Sequence, residues 1–252
     1  ELLVIDPVAG DWFKPKPLTT FDWCLDEVVS GTIFDAEVVD IDAFDATEDL
    51  VKELHDQGKK VVAYLSVGTV EDWRPDAHLF PPSVVGNNYA GWEGEKWLDI
   101  RNIAQLSPIL SSRLDMIKDK GFDAVEPDNI DGFEYPDPGF NLKKQDAQNF
   151  CIWLIEEAHK RGLSIGQKNA AGLAPALVDG FDWMLTEDAF ADEWQDETKI
   201  YVSKGKAVFA VEYTDRMSEQ SFLNNVCPVA KADNYSAILK DRDLTAGKVA
   251  CN

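Results

Sequence analysis

Short apolar runs recur along the chain, and most are followed by a longer amphipathic stretch that stops at glycine. The runs "FDWCL" (21–25), "AEVVDID" (36–42), "KVVAYLSVG" (60–68) and "DAVEPDN" (123–129) read as strands. So do "LSIGQKN" (163–169), "FDWMLTED" (181–188), "AVFAVEY" (207–213) and "YSAILKD" (235–241). Helical spacing fills the gaps. "TEDLVKELHDQG" opens on Thr47 as an N-cap and closes at Gly58, and "SPILSSRLDMIKDKG" starts at Ser107-Pro108 and closes at Gly121. "KKQDAQNFCIWLIEEAHKRG" spaces Phe150, Leu154 and Ala158 on one face, while "AGLAPALVDG" and "DETKIYVSKG" end at Gly180 and Gly205. The repeat of helix, glycine and strand calls for parallel strands joined by crossover helices. Eight such units in 252 residues predict an α/β chain folded as one (β/α)₈ TIM-type barrel domain over 1–252. A doubly wound open sheet is the alternative, but no glycine-rich phosphate turn follows the first strand. The link between the first two strands is too short for a full helix.

Alternation assigns the side chains that face inward. The second strand offers Val38, Asp40 and Asp42, and the third Val62, Tyr64, Ser66 and Gly68. The fourth offers Ala124, Glu126 and Asp128, and the fifth Ser164, Gly166 and Lys168. The sixth gives Trp183, Leu185 and Glu187, and the seventh Val208, Ala210 and Glu212. The polar member comes late in nearly every strand. In such barrels the C-terminal rim holds the active site, so these residues are expected to ring its mouth.

Charge changes the picture. Forty-six acidic residues against 24 basic ones give −22, which argues against a nucleic-acid backbone as partner and suits attraction of a cationic one. No apolar run is long enough to span a membrane. The four cysteines, Cys24, Cys151, Cys227 and Cys251, contain no CxxC pair, and with three histidines a zinc site is not expected. Two disulfides in an oxidising compartment are expected instead, Cys227–Cys251 among them. The chain starts without an n-region or h-region, so it is expected to be a secreted protein whose signal peptide has been removed.

Two carboxylates aimed at one point suffice to cleave a glycosidic bond: one protonates the leaving oxygen, the other attacks or activates water. Asp128 and Glu187 sit two strands apart, so their backbones should be roughly 10 Å apart. Their side chains can then meet the spacing of either a retaining or an inverting pair. Asp128 is expected to act as nucleophile or base and Glu187 as general acid, the reverse remaining open. Glu212 is expected to help raise the pKa of the acid.

At these positions the chain resembles a known family. "VVAYLSVGTVEDWRPD", "GEKWLDIRN", "KGFDAVEPDNIDGF", "AHKRGLSIGQKN", "FDWMLTED" and "GKAVFAVEY" are similar to glycoside hydrolase family 114, which groups endo-α-1,4-polygalactosaminidases and related barrel proteins. The resemblance runs from about Val38 to Cys251. It implies a (β/α)₈ barrel that cuts α-1,4-linked galactosamine-containing polysaccharide without metal or other cofactor. It also implies catalytic roles for Asp128 and Glu187. Two departures stand out: relatives often read Glu-Gln-Cys where this chain has Glu187-Asp188-Ala189, and the opening "ELLVIDPVAGDWFKPKP" is less family-like.

The remaining candidates are substrate contacts. Asp40 and Glu126 are expected to line the site and hold a substrate amino group, and Asp131 to touch substrate at the rim. Lys168 is expected to offset the acids, Asn169 to donate to sugar, and Tyr64 to form a subsite wall. Tyr213 lies on the opposite alternation face, near enough to the rim to reach the cleft. The segment from Thr69 to Gln105 is long for a loop and carries Trp73, Tyr89, Trp92 and Trp97. Trp73 and Trp97 are expected to stack on sugar rings or attract ammonium groups. The expected partner is therefore a cationic or partly deacetylated polysaccharide, bound by a monomer. Three alternatives remain: another polysaccharide, a catalytically silent carbohydrate-binding barrel, or a Ca²⁺ or Mg²⁺ site at Glu126, Asp128 and Asp131. An esterase or deacetylase is disfavoured because His55, His78 and His159 all lie outside the late strand positions.

Overall fold

The structure, a computed structural model, describes residues 10–251, so part of the unfamiliar opening segment lies outside the described residues. The order of elements is β1 (Phe21–Cys24), β2 (Val38–Asp42), α1 (Glu48–Asp56), β3 (Lys60–Ser66), β4 (Thr69–Glu71), β5 (Val85–Asn88) and β6 (Glu95–Leu98). Next come α2 (Ile103–Asp119), β7 (Ala124–Asp128), α3 (Lys144–Lys160), β8 (Ser164–Lys168), α4 (Ala174–Leu177), β9 (Trp183–Glu187) and α5 (Lys199–Ser203). The last are β10 (Val208–Tyr213), α6 (Glu219–Ser221), α7 (Cys227–Ala232), β11 (Ser236–Lys240) and β12 (Val249–Ala250). A π-helical stretch, Phe222–Val226, joins α6 to α7.

The main sheet runs β1-β2-β3-β7-β8-β9-β10-β11-β12, and every pair but the last is parallel. It is curled and partly open rather than a clearly closed ring of eight. The physical reason lies at the seam. The edge of β11 away from β10 pairs with the antiparallel β12, through Ile238–Ala250 and Leu239–Val249. Individual bonds bridge towards β1 instead of a ladder: Ser236 Oγ donates to Thr19 O at 2.6 Å, and Lys240 Nζ lies 3.0 Å from Asp22.

Two apolar layers form, as strands covered on both faces require. Inside the curl, Phe21, Trp23, Val62, Tyr64, Trp183, Phe209, Val211 and Tyr213 pack together. Outside it, residues such as Val39, Ala63, Val125, Ile165 and Ala210 pack against the helices. The inner faces match the sequence pattern for β2, β3, β7, β8 and β9. In β10 the pattern is reversed: Phe209, Val211 and Tyr213 point in, and Val208 and Ala210 point out.

Helix ends follow local chemistry. Thr47 Oγ1 accepts from Leu50 N at 3.1 Å, and Gly58 closes α1 with φ +78, a left-handed turn that glycine adopts without strain. The second helix starts earlier than Ser107 because Asn102 caps it, leaving Pro108 inside. Pro108 has no N–H to give to Ala104 O, and Ser107 Oγ reaches that carbonyl at 3.4 Å. Cys227–Cys251 is a disulfide, tying α7 to the residue after β12, but the expected second bridge is absent. Cys24, ending β1, and Cys151, inside α3, are buried free thiols.

Candidate active site

A cavity of about 440 Å³ opens at the C-terminal ends of the parallel strands. Its wall includes Trp23, Tyr64, Asp128, Glu187 and Tyr213 from the sheet, Asn169 just after β8, and Tyr89, Trp92 and Tyr135 from loops. The backbone turns sharply where each acidic or basic strand ends. Asn129, Asn169 and Asp188 follow Asp128, Lys168 and Glu187 with φ of 65, 47 and 56. Asn and Asp tolerate this left-handed geometry better than most side chains. Each turn lifts the chain away and leaves the preceding side chain at the cleft floor.

Pro127 helps in a second way. The β7–β8 ladder ends at Val125–Ile165, before the residue that lacks an N–H. Further along, β8 pairs with β9 through Gly166–Trp183 and Lys168–Leu185. A side chain on Gly166 would place its Cβ 2.4 Å from the Trp183 ring, so glycine lets that indole lie across the barrel interior.

Lys168 organises the floor. Its ammonium bonds Glu126 Oε2 and lies 3.4 Å from Asp128 Oδ1 and 3.3 Å from Glu187 Oε2. It also sits 4.2 Å from the Trp23 ring centroid. Burial disfavours the charged ammonium, but Asp128, Glu126 and Glu187 outweigh it and hold Lys168 well above its usual pKa. Asp128 additionally accepts from the Tyr64 hydroxyl at 2.9 Å and from the Asn129 amide at 2.8 Å. Glu187 accepts from Asn169 Nδ2 at 3.1 Å and from the Tyr213 hydroxyl. Burial pushes the Glu187 carboxyl up, yet Lys168, Tyr213 and Asn169 together leave it below the usual range. Glu187 is therefore an anion at neutral pH.

Other acids of the cleft behave differently. Burial, followed by the charge of Asp128, lifts Asp131 to about 7, and burial lifts Glu95 to about 7. Asp188, Asp192 and Asp243 complete an acidic wall whose one cleft-lining arginine, Arg242, is tied to Asp188 at 2.9 Å and to Asp215 at 2.7 Å.

The structure thus brings Asp128, Glu187, Tyr64, Asp131, Asn169 and Lys168 together, with Lys168 1% exposed and reaching the site through the acids. It sets other candidates apart. Asp40 and Glu126 lie behind Lys168 and outside the cavity wall. Glu212 is turned outward and accepts the amides of Phe190 and Ala191 at 2.8 and 3.2 Å, so it shapes the loop after β9. Trp97 is buried behind Tyr89 and Tyr135, with ring centroids 4.5 and 4.7 Å away, and braces them without lining the cleft. Trp73 is exposed and stands outside the wall.

The long segment after β3 is built, not loose. β4, β6 and β5 form a small antiparallel sheet, pinned to β2 by Arg74, which bonds Asp42 at 2.6 Å and Glu71 at 3.0 Å. It carries Tyr89 and Trp92 to the rim. Among the described residues, no group of His, Cys, Asp and Glu is arranged to hold a metal ion, and the space between Glu126 and Asp128 is taken by the Lys168 ammonium. No described helix is long and apolar enough to cross a membrane. Trp23, Tyr135, Asp188, Asp192, Arg242 and Asp243 were not anticipated; the last five lie on irregular segments where alternation gives no signal.

The sequence model of glycoside-hydrolase family GH114 matches residues 6–252. The chain belongs to that family. It is a glycoside hydrolase of the GH114 type. The crystal structure of Aspergillus fumigatus Ega3 in complex with galactosamine is 33% identical, with a TM-score of 0.91 over 97% of this chain and 99% of that one. The uncharacterized protein MJ1477 of Methanocaldococcus jannaschii is 32% identical over 202 residues, 67% of this chain. The match spans 56% of that relative's length. The glycoside hydrolase domain of PelA from Pseudomonas aeruginosa, at 14% identity and a TM-score of 0.70, shares the fold over 92% of this chain and 98% of its own.

Proposed function

We propose that this GH114 enzyme cleaves α-1,4-linked galactosamine-containing polysaccharide internally, with Asp128 as attacking carboxylate and Glu187 as proton donor. The observation that carries the reading is the pair's shared contact with Lys168. Its ammonium lies 3.4 Å from Asp128 Oδ1 and 3.3 Å from Glu187 Oε2, so those oxygens stand no more than 6.7 Å apart, near enough to flank one glycosidic linkage. The galactosamine held by Ega3 supports the sugar, and the acidic wall suits its ammonium.

In the first step Asp128 attacks the anomeric carbon while Glu187 gives its proton to the departing glycosidic oxygen. In the second, Glu187 takes a proton from water, whose oxygen displaces Asp128. Glu187 gains its first proton as substrate covers it. Burial is already the largest upward influence on its pKa and strengthens when water leaves. The Tyr89, Trp92 and Tyr135 rings offer stacking faces for neighbouring sugars.

The curled sheet is read as a (β/α)₈ barrel whose seam is closed by side chains and β12. A secreted monomer is the setting that fits the Cys227–Cys251 bridge. The test is product analysis by mass spectrometry on partly deacetylated galactosaminogalactan, using the parent, Asp128→Asn and Glu187→Gln. Oligosaccharides are expected from the parent alone. Equal products from all three end the assignment.

A further inference from the structure

Behind the catalytic floor lie side chains more deeply buried than either carboxylate that the reaction uses. Lys168, Glu126 and Asp40 are 1%, 0% and 2% exposed, against 19% and 26% for the Asp128 and Glu187 side chains. The Lys168 ammonium hydrogen-bonds Glu126 and lies 3.4 and 3.3 Å from Asp128 and Glu187, and of these three carboxylates only Glu126 is shut away from the cleft. Glu126 Oε1 and both oxygens of Asp40 have no donor. Two ionised acids placed like this repel each other in a medium that screens them poorly. A single proton resolves the conflict, because a protonated Asp40 gives its O–H to Glu126. Burial, then the charge of Glu126, pushes Asp40 well above the usual range in accord with this.

We propose that Asp40, Glu126 and Lys168 form a positioning unit in which the two acids share one proton, and that the unit's net charge sets the ionisation of Glu187. It depends on the two-carboxylate reading only for its use in catalysis. Lys168 is faced by Glu126 and Asp128 from β7, Glu187 from β9 and Asp40 from β2, with the Trp23 and Tyr64 rings 4.2 and 5.8 Å away. From β10, Tyr213 acts on Lys168 only through Glu187. With one proton on the acid pair, its single negative charge balances Lys168. Neither Asp40 nor Glu126 then needs to meet substrate.

The test needs no substrate. Carboxyl carbons of ¹³C-labelled protein are titrated by NMR in the parent, in Asp40→Asn and in Asp40→Asn/Glu126→Gln. The single change keeps a donor towards Glu126 and keeps the net charge, so Glu187 should titrate as in the parent. The double change removes one negative charge and leaves Lys168 wholly to the catalytic pair, so Glu187 should fall by about one pKa unit. A single variant that shifts as far as the double one means Asp40 is ionised and overturns the proposal. A folded double variant that leaves Glu187 unmoved also overturns it. Should the double variant fail to fold, infrared difference spectra decide: about two pH units above 7, where Asp131, Glu95 and Glu212 are ionised, a protonated-carboxyl band of the parent must vanish in Asp40→Asn, and its persistence refutes the shared proton. A parent that titrates as expected but spares galactosamine polymers would sink the substrate reading alone.

Discussion

Tyr213→Phe isolates one of the donors that hold Glu187 as an anion. The phenol gives its proton to Glu187 Oε1, and the ring is clamped by the Arg242 guanidinium 3.8 Å from its centroid. Phenylalanine keeps the ring and deletes the donor. A hydrogen bond to a charged acceptor contributes about 1.5–3 kcal/mol, equivalent to about 1–2 pKa units on the acceptor. The lower end applies here, because Asn169 and Lys168 still hold Oε2 and the Glu187 side chain is 26% exposed. Glu187 should therefore titrate about one unit higher. The sign follows: a proton donor with a raised pKa stays protonated to higher pH. In the free enzyme the alkaline limb of kcat/KM should move up by the same amount while the acidic limb stays. Initial rates on a soluble deacetylated substrate across the pH range measure both limbs. An unmoved alkaline limb refutes the role given to the phenol. A shift of the acidic limb instead would exchange the parts of Asp128 and Glu187.

Replacing Cys227 and Cys251 by serine opens a closed loop with a sequence separation of 24, which in the chain-entropy account costs about 3.5 kcal/mol. For a chain of this size the melting temperature should drop by about 7–14 °C in calorimetry, and an unchanged transition refutes the estimate. Raising salt from low to molar concentration should raise KM for a polycationic substrate several-fold with little change in kcat, since the field of the acidic wall is screened. An N-acetylated neutral chain should lack that response, and an equal response from both removes electrostatic steering from the picture. Gly166→Ala forces a methyl to 2.4 Å from the Trp183 ring and should lower stability in urea by about 1–3 kcal/mol. A variant as stable as the parent would mean that Trp183 repacks freely.

The strands were legible because each apolar run is bounded by turn residues, and the faces were legible where one polar residue interrupts an apolar series. In β7 the alternation Ala124, Glu126, Asp128 against Val125 and Pro127 leaves no ambiguity. In β10 it misleads. Val208, Phe209, Ala210 and Val211 are apolar on both faces, as a parallel strand covered on both sides demands. That left Glu212 as the one guide to parity, and Glu212 is buried for a different purpose, receiving the Phe190 and Ala191 amides. The inward reach of Tyr213 is the consequence. The two tryptophans fail for a related reason: an aromatic side chain on a connecting segment reads the same whether it braces the loop, as Trp97 does, or points to solvent, as Trp73 does. The seam was beyond the pattern altogether, because Val249–Ala250 is too short to announce a strand.

Why a fold should gather so many acids around one cleft follows from their unequal proton affinities. Glu187 sits below the usual range, while Asp131 and Glu95 are lifted to about 7 by burial. As pH rises towards neutrality, Asp131 and Glu95 ionise, and the wall grows more attractive to an ammonium-bearing chain. Over the same interval Glu187 becomes harder to protonate, so with Glu187 as the proposed proton donor bond cleavage is expected to slow. All these groups lose protons as pH rises, but the loss favours binding at the rim and opposes protonation of the leaving oxygen. Lys168 distinguishes Glu187 from Asp131 and Glu95. It lies 3.3 Å from Glu187, while the other two lie outside its contacts; Glu126, which it also holds, is fully buried and is still lifted to about 7. A neutral side chain in its place would erase that distinction by letting Glu187 rise with its neighbours.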